Sequence, residues 1–206
     1  TNISNIKNKK YSSGQWEFYT YDDKKRQIRV NTAHKNSSYS ENAAIGQSIE
    51  YGYVDSVSDD RPRSITRKIK GTLVGNIFNT YTTSENRRTE TIEVATTPSA
   101  QAGNASNLKT TKVYDTRTER LISVTYPDGK LETYTYEYGN YTLQNNTPGL
   151  FEGDASGKAL RETIVYGTTS NPSGITGKTT KKVTVKDEYG NKVLEEVYAL
   201  LTSGYE

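Results

Sequence analysis

The sequence predicts an all-β protein built from consecutive antiparallel hairpins, and three observations carry that reading. Residues 121–126 (LISVTY) alternate Ile122, Val124 and Tyr126 with Ser123 and Thr125, which is the two-residue period of a pleated strand. Residues 131–138 repeat the alternation, with Tyr134, Tyr136 and Tyr138 on one face and Thr133 and Thr135 on the other. Between the two runs stands Pro127-Asp128-Gly129. Proline presets the φ angle that opens a tight turn, aspartate bonds back to the backbone, and glycine accepts the positive φ that closes it.

The remaining elements follow in order. Residues 1–11 are polar, an extended lead-in ended by Ser12-Ser13-Gly14. Residues 15–21 alternate Trp16, Phe18 and Thr20 with Glu17, Tyr19 and Tyr21, and Asp22-Asp23-Lys24-Lys25 turns the chain into a strand over 26–30. Residues 31–47 form a long Asn/Ser/Ala connection with an ambiguous helical signal at 41–45. Strands are expected at 48–55 and 63–69 around the loop 56–62, and at 72–82, where Gly75 and Asn76 mark a bulge or bend. A partner strand at 88–96 completes that hairpin through a turn at 84–87. Loops or breaks are expected at 98–108, 144–158 and 167–177, with strands at 160–166 and 178–186 and a strand-like pattern without an evident cap at 197–206.

Ile, Leu, Val and Phe together make up less than a fifth of the chain, a level that signals disorder when net charge is high. The formal charge is only +3, and 17 tyrosines with many threonines supply strand formers instead. A folded β protein with a thin core is therefore expected, as one all-β region over 1–206 with a weak boundary at 98–108. Cysteine is absent, so disulfides and thiolate metal sites are excluded within these residues. No apolar run reaches the ~18 residues of a membrane-spanning helix. The basic run Arg61, Arg63, Arg67, Lys68 and Lys70 is interrupted by Ile65 and Ile69, so it reads as a solvated strand face, and nothing specific points to nucleic acid.

Tyr114-Asp115, then Arg120-Leu121, a strand, Tyr126-Pro127-Asp128-Gly129 and Tyr134-Thr135-Tyr136 together resemble the tyrosine-aspartate (YD) repeat of the RHS family. That pattern runs Tyr-Asp, two variable residues, Gly, Arg or Asn, Leu, a strand, and a second Tyr-rich strand. Here Gly is absent between Asp115 and Arg120, and Glu137 stands where the next Asp belongs. A second copy is Tyr21-Asp22 followed by Arg26, Ile28 and Val30, with Lys25 in place of Gly. That position often needs a left-handed backbone, which costs a non-glycine residue ~1 kcal/mol. A third copy, residues 186–198, keeps Gly190 but has Lys186 in place of Tyr. The resemblance implies a YD-repeat sheet that is open and curved or spiralling, forming the shell or scaffold of a secreted or cell-surface bacterial protein. Its partners would be further repeats of a longer chain or other copies of itself, with carbohydrate as a further contact.

Hydrolytic and nucleotide signatures are missing, and a single histidine leaves at most one base for a catalytic triad. No cofactor and no metal are expected. The favoured reading is non-catalytic, with Trp16, Tyr19, Tyr21, Tyr134 and Tyr136 as the aromatic residues available for contact with sugar rings. The alternative enzyme is a lyase acting on acidic polysaccharide, with His34 and Tyr19 as base and acid and Arg29 neutralising the substrate carboxylate. A carbohydrate-binding module without chemistry is the third reading. The pairs Asp22-Asp23, Asp59-Asp60 and Asp187-Glu188 read as turn residues before they read as glycosidase carboxylates or calcium ligands.

Overall fold

A computed structural model describes residues 7–54, 59–144, 147–176 and 178–206. Parts of four sequence expectations lie outside the described residues: the start of the 1–11 lead-in, the junction of the 48–55 strand with the 56–62 loop, the Asn145-Asn146 portion of the 144–158 break, and Gly177 at the end of the 167–177 loop. Among the described residues every regular element is a β-strand, and the strands form one open antiparallel sheet. By contacts the chain divides into two compact units, Thr1–Tyr81 with Glu90–Lys109, and Thr82–Thr89 with Thr110–Glu206.

The first unit begins with β1 (Asn8–Lys10), β2 (Trp16–Tyr21), β3 (Gln27–Thr32), β4 (Gln47–Gly52) and β5 (Ser64–Ile69), each paired with the next. It also holds most of β6 (Thr72–Ser84) and part of β7 (Arg87–Val94). The bulge expected near Gly75 is real: Arg67 pairs with Gly75 and Lys68 with Leu73, so Val74 is the extra residue. Strand β1 carries lysines on a short edge, an arrangement that discourages pairing with foreign strands. The 33–46 connection contains no helix; Ile45 N–H closes a turn on the Asn42 carbonyl.

The second unit contains most of β8 (Leu108–Asp115), then β9 (Leu121–Thr125), β10 (Lys130–Gln144), β11 (Thr147–Gly153), β12 (Ala159–Thr168), β13 (Lys178–Lys186), β14 (Lys192–Leu201) and β15 (Gly204–Tyr205). The 121–138 hairpin forms as expected. Gly129 is left-handed (φ 81°), its N–H bonds the Tyr126 carbonyl at 3.0 Å, and Lys130 N–H reaches Asp128 Oδ1 at 3.1 Å. Two expectations are corrected. The 144–158 break contains β11, which pairs with the far half of β10, Tyr141 opposite Phe151. The uncapped end at 197–206 doubles back instead, with Leu200 opposite Tyr205 and Ala199 and Glu206 exchanging both backbone hydrogen bonds.

Gly139 is where β10 changes partners, pairing with Ala159 of β12 and Gly153 of β11. A Cβ there would collide with the Phe151 ring and the Glu152 carbonyl, and one at Gly157 would strike Gly139 itself. Only hydrogen at both positions lets the backbones meet.

The core is thin, as expected from the composition. Buried apolar side chains among the described residues are Trp16, Ala100, Val124, Ala159, Val183 and Val185, accompanied by buried polar groups such as Asn31, Ser48, Glu93 and Asn107. The 98–108 segment is a loop up to β8, as expected, yet its Ala100 and Asn107 lie inside. The reason is the Glu93 carboxylate: its Oε2 accepts from Gly103 N–H at 2.8 Å and from Asn107 Nδ2 at 3.2 Å, while Asn76 Nδ2 donates to the Pro98 carbonyl at 2.9 Å. These bonds satisfy polar groups whose burial would otherwise be costly.

Candidate functional site

The three copies of the sequence signature share the same turn elements, the Asp115 turn being one residue longer than the other two. In each, the aspartate N–H bonds the carbonyl of the residue that closes the turn: Asp22 to Arg26, Asp115 to Arg120 and Asp187 to Asn191, at 2.9–3.0 Å. The aspartate Oδ1 then accepts backbone N–H groups, from Arg26 at 2.8 Å, from Arg117 and Thr118 at 2.9 Å each, and from Tyr189 and Asn191 at 3.0 and 2.8 Å. The residue before the closing position is left-handed in all three: Lys25 (φ 65°), Glu119 (φ 56°) and Gly190 (φ 84°). Past the turn a register shift leaves one extra apolar residue on the returning strand, Ile28, Ile122 or Val193, the bulge that commonly follows such a turn.

These aspartates are therefore turn clamps. The Asp187 carboxyl is held below the usual carboxylate range by the Asn191 side chain first, and Asp115 by the Thr118 N–H first. At Asp22 desolvation pushes upward and the Arg26 hydrogen bonds outweigh it, so the net direction is again down. Asp59 is lowered chiefly by the Arg61 guanidinium. Among the described residues no group of three His, Asp or Glu side chains is placed to hold a metal ion.

The arginines that close the turns lie on tyrosine rings. Arg26 stacks over Tyr53 at 4.5 Å, and Arg120 over Tyr136 and Tyr138 at 5.0 and 5.1 Å. The basic run behaves likewise: Arg61 and Arg63 both lie over Tyr81 at 4.0 and 4.5 Å, Arg61 also bridges Asp59 and Glu90, and Lys68 pairs with Glu50 at 2.7 Å. Stacked and paired cations of this kind stabilise the sheet surface.

Trp16 is a core residue. It is 3% exposed, its Nε1 donates to the Ser37 carbonyl at 3.2 Å, and Tyr39 meets it edge-on with ring centroids 5.9 Å apart. No open face remains for stacking an external ligand. Tyr19 donates its hydroxyl to Glu17 Oε2, and that bond, with desolvation behind it, pushes the phenol up to about 12. Tyr21 is half-buried opposite Gln27. Tyr134 is half-buried, raised by desolvation first and by its 2.5 Å bond to Glu132 second. Tyr136 is half-buried under Arg120 and lines a shallow cleft of about 460 Å³ with Tyr138 and Asp154.

The three residues of the lyase alternative are not gathered into one site. Tyr19 pairs with Val30 and Arg29 with Thr20, so Tyr19 and Arg29 lie on opposite faces of the sheet. Arg29 Nη2 contacts Thr20 Oγ1 at 3.4 Å and the Glu41 carbonyl at 3.3 Å, while His34 Nδ1 meets Gln47 Nε2 at 3.3 Å.

A second cleft, of about 360 Å³, was not foreseen from the sequence. It lies between the turn at 154–158 and the turn at 187–191, and is lined by Asn140, Tyr141, Ser156, Lys158, Glu188 and Tyr189 together with Ala159 and Asp187. Asp154 organises one wall, accepting from Ser156 N–H at 2.9 Å and Asn140 Nδ2 at 3.1 Å. The third repeat copy organises the other. Tyr141 donates to the Val193 carbonyl at 3.1 Å, and Lys158 pairs with Glu188 at 3.0 Å across the opening. The only hint in the sequence was an aromatic, Tyr189, inside the otherwise polar turn DEYGN.

No protein-family model matches this chain, and neither does any curated protein.

Proposed function

We propose that this chain is a non-catalytic structural and interaction segment of a secreted or surface protein of the RHS/YD-repeat type, with carbohydrate contact on its tyrosine-bearing surface. The observation that carries this reading is the shared geometry of the three signature copies. In all three the aspartate and the left-handed position shape and clamp a turn, and in the first two the closing arginine also shields a tyrosine ring. Residues committed in this way are shaping hairpins rather than activating a substrate. The resemblance to YD repeats, drawn from the same residues, supplies the architecture and the location. Of the two end strands of the open sheet, β15 lacks the lysines that guard β1, and it is the end open to association with further repeats or with other copies.

The test combines light scattering across a concentration series with incubation on polygalacturonate and alginate, followed in the ultraviolet for unsaturated products. Concentration-dependent self-association without turnover is expected. Appearance of an unsaturated product that vanishes in His34→Ala would overturn the proposal in favour of a lyase.

A further inference from the structure

We infer that the cleft between the 154–158 and 187–191 turns is a binding site for a short segment of neutral glycan; this rests on the non-catalytic interaction reading and gives it a location and a ligand class. Tyr189 is 81% exposed, and its backbone is fixed by the N–H bond to Asp187 and by the left-handed Gly190 behind it. A large ring held out into solvent on a clamped turn is poorly explained by packing, since it buries almost nothing there. It does offer an apolar face on which the C–H face of a sugar ring can stack, and the rigid turn limits the entropy lost on binding.

The polar lining matches hydroxyl recognition. Asn140 spends its Nδ2 on Asp154 and keeps its carbonyl oxygen as an acceptor, and the hydroxyls of Ser156 and Tyr141, which donate to Asp154 Oδ1 and the Val193 carbonyl, keep lone pairs as acceptors on the two walls. Lys158 and Glu188 stand 3.0 Å apart, a donor and an acceptor side by side, the pairing that adjacent sugar hydroxyls satisfy. A cleft of about 360 Å³ is at the small end of ligand pockets, suited to a short segment rather than a long chain.

Charge sets the ligand class. Lys158 is neutralised by Glu188, and the carboxyl of Asp187, lowered by Asn191, adds a negative charge to the wall. A uronate or sulfated sugar would meet net repulsion, so the site selects uncharged sugars.

Affinity electrophoresis of the full chain tests this, using native gels that contain a soluble β-glucan, a glucomannan or dextran, with polygalacturonate as the charged comparison. At least one neutral polymer is expected to retard the protein. Tyr189→Ala should weaken that retardation about tenfold, Tyr189→Phe should preserve it, and Tyr11→Ala, at an exposed tyrosine that does not line the cleft, should leave it unchanged. Matching thermal melts for these exposed-site variants separate lost binding from lost folding. Retardation by polygalacturonate alone, by none of the polymers, or to the same degree in Tyr189→Ala would overturn the inference. Retardation that survives Tyr189→Ala but disappears in Tyr136→Ala would sink this cleft while leaving the tyrosine-surface reading standing.

Discussion

The two units solve the same shortage of apolar residues in different ways. In the first, one large ring, Trp16, is covered by Tyr39 from the 33–46 connection, and the rest of the interior is polar apart from Ala100: the Asn31 amide reaches the Glu41 carbonyl, and Glu93 gathers the 98–108 loop. In the second, the interior is mainly aliphatic, Val124, Ala159, Val183 and Val185 being buried together with Thr180 and Thr184. Val183 and Val185 share a face of β13, with Arg161, opposite Val185 on that face, lying over the Phe151 ring of β11 at 4.6 Å. Hydrogen-bonded loops thus close one unit and strand packing closes the other. The lesson is that a sheet with few core residues can be completed by hydrogen-bonded polar side chains as well as by apolar ones, but the two kinds of closure should fail differently.

Core truncation draws the comparison most sharply. Trp16→Ala should cost about 3–5 kcal/mol, whereas Val185→Ala, which removes far less buried surface, should cost about 2 kcal/mol. Urea unfolding followed by far-ultraviolet circular dichroism would measure both. Equal losses would mean that the polar closure of the first unit compensates for its single ring.

Next in size is the polar latch. Glu93→Ala should cost about 1–3 kcal/mol, because Asn107 and the Gly103 N–H lose their buried acceptor. Hydrogen exchange should show loss of protection concentrated in residues 98–108. A loss spread evenly over both units would contradict the loop-closure account.

The repeat turns allow a finer test, because one position is occupied by three different residues. Gly190→Ala should destabilise by about 1 kcal/mol, since Ala must adopt a left-handed backbone. The reverse change, Lys25→Gly, should gain roughly 0.5 kcal/mol, the relief of strain being partly offset by the added freedom of glycine when unfolded. If both changes had the same sign, the turns would not be equivalent.

The smallest expected effect is in acid. Asp22, Asp115 and Asp187 have folded-state pKa values below the unfolded value of ~3.9. Their contribution is therefore present above that pH and fades as pH falls through the lowered folded values. Asp187→Asn keeps an acceptor oxygen without the titration, so thermal melts of that variant should depend less steeply on pH below ~4 than those of the parent chain. An unchanged slope would show that Asp187 is not one of the groups responsible.

Much of this was readable in advance for local reasons. The 121–138 hairpin, the left-handed backbone at Lys25, the bulge near Gly75 and the 178–186 strand all follow from alternation and turn chemistry within a few residues. Strand β11 was not readable, because Pro148, Gly149 and Gly153 look like a break. Two glycines of that strand instead make room for neighbours: a Cβ at Gly149 would have to displace the Tyr141 ring, and one at Gly153 the Glu137 carboxylate. Trp16 looked like a contact residue because alternation places it on a face without saying what covers that face.

What the sequence determined by itself is the all-β class, the order of hairpins and the geometry of the Asp-initiated turns, since each depends on backbone preferences and hydrogen bonds between near neighbours. Tertiary structure alone decided that Tyr19 and Arg29 part to opposite faces, that Glu93 closes a loop, and that the 154–158 and 187–191 turns meet around Tyr189. Those outcomes depend on strand register and on approaches between residues far apart in the chain, and a local pattern carries no information about either.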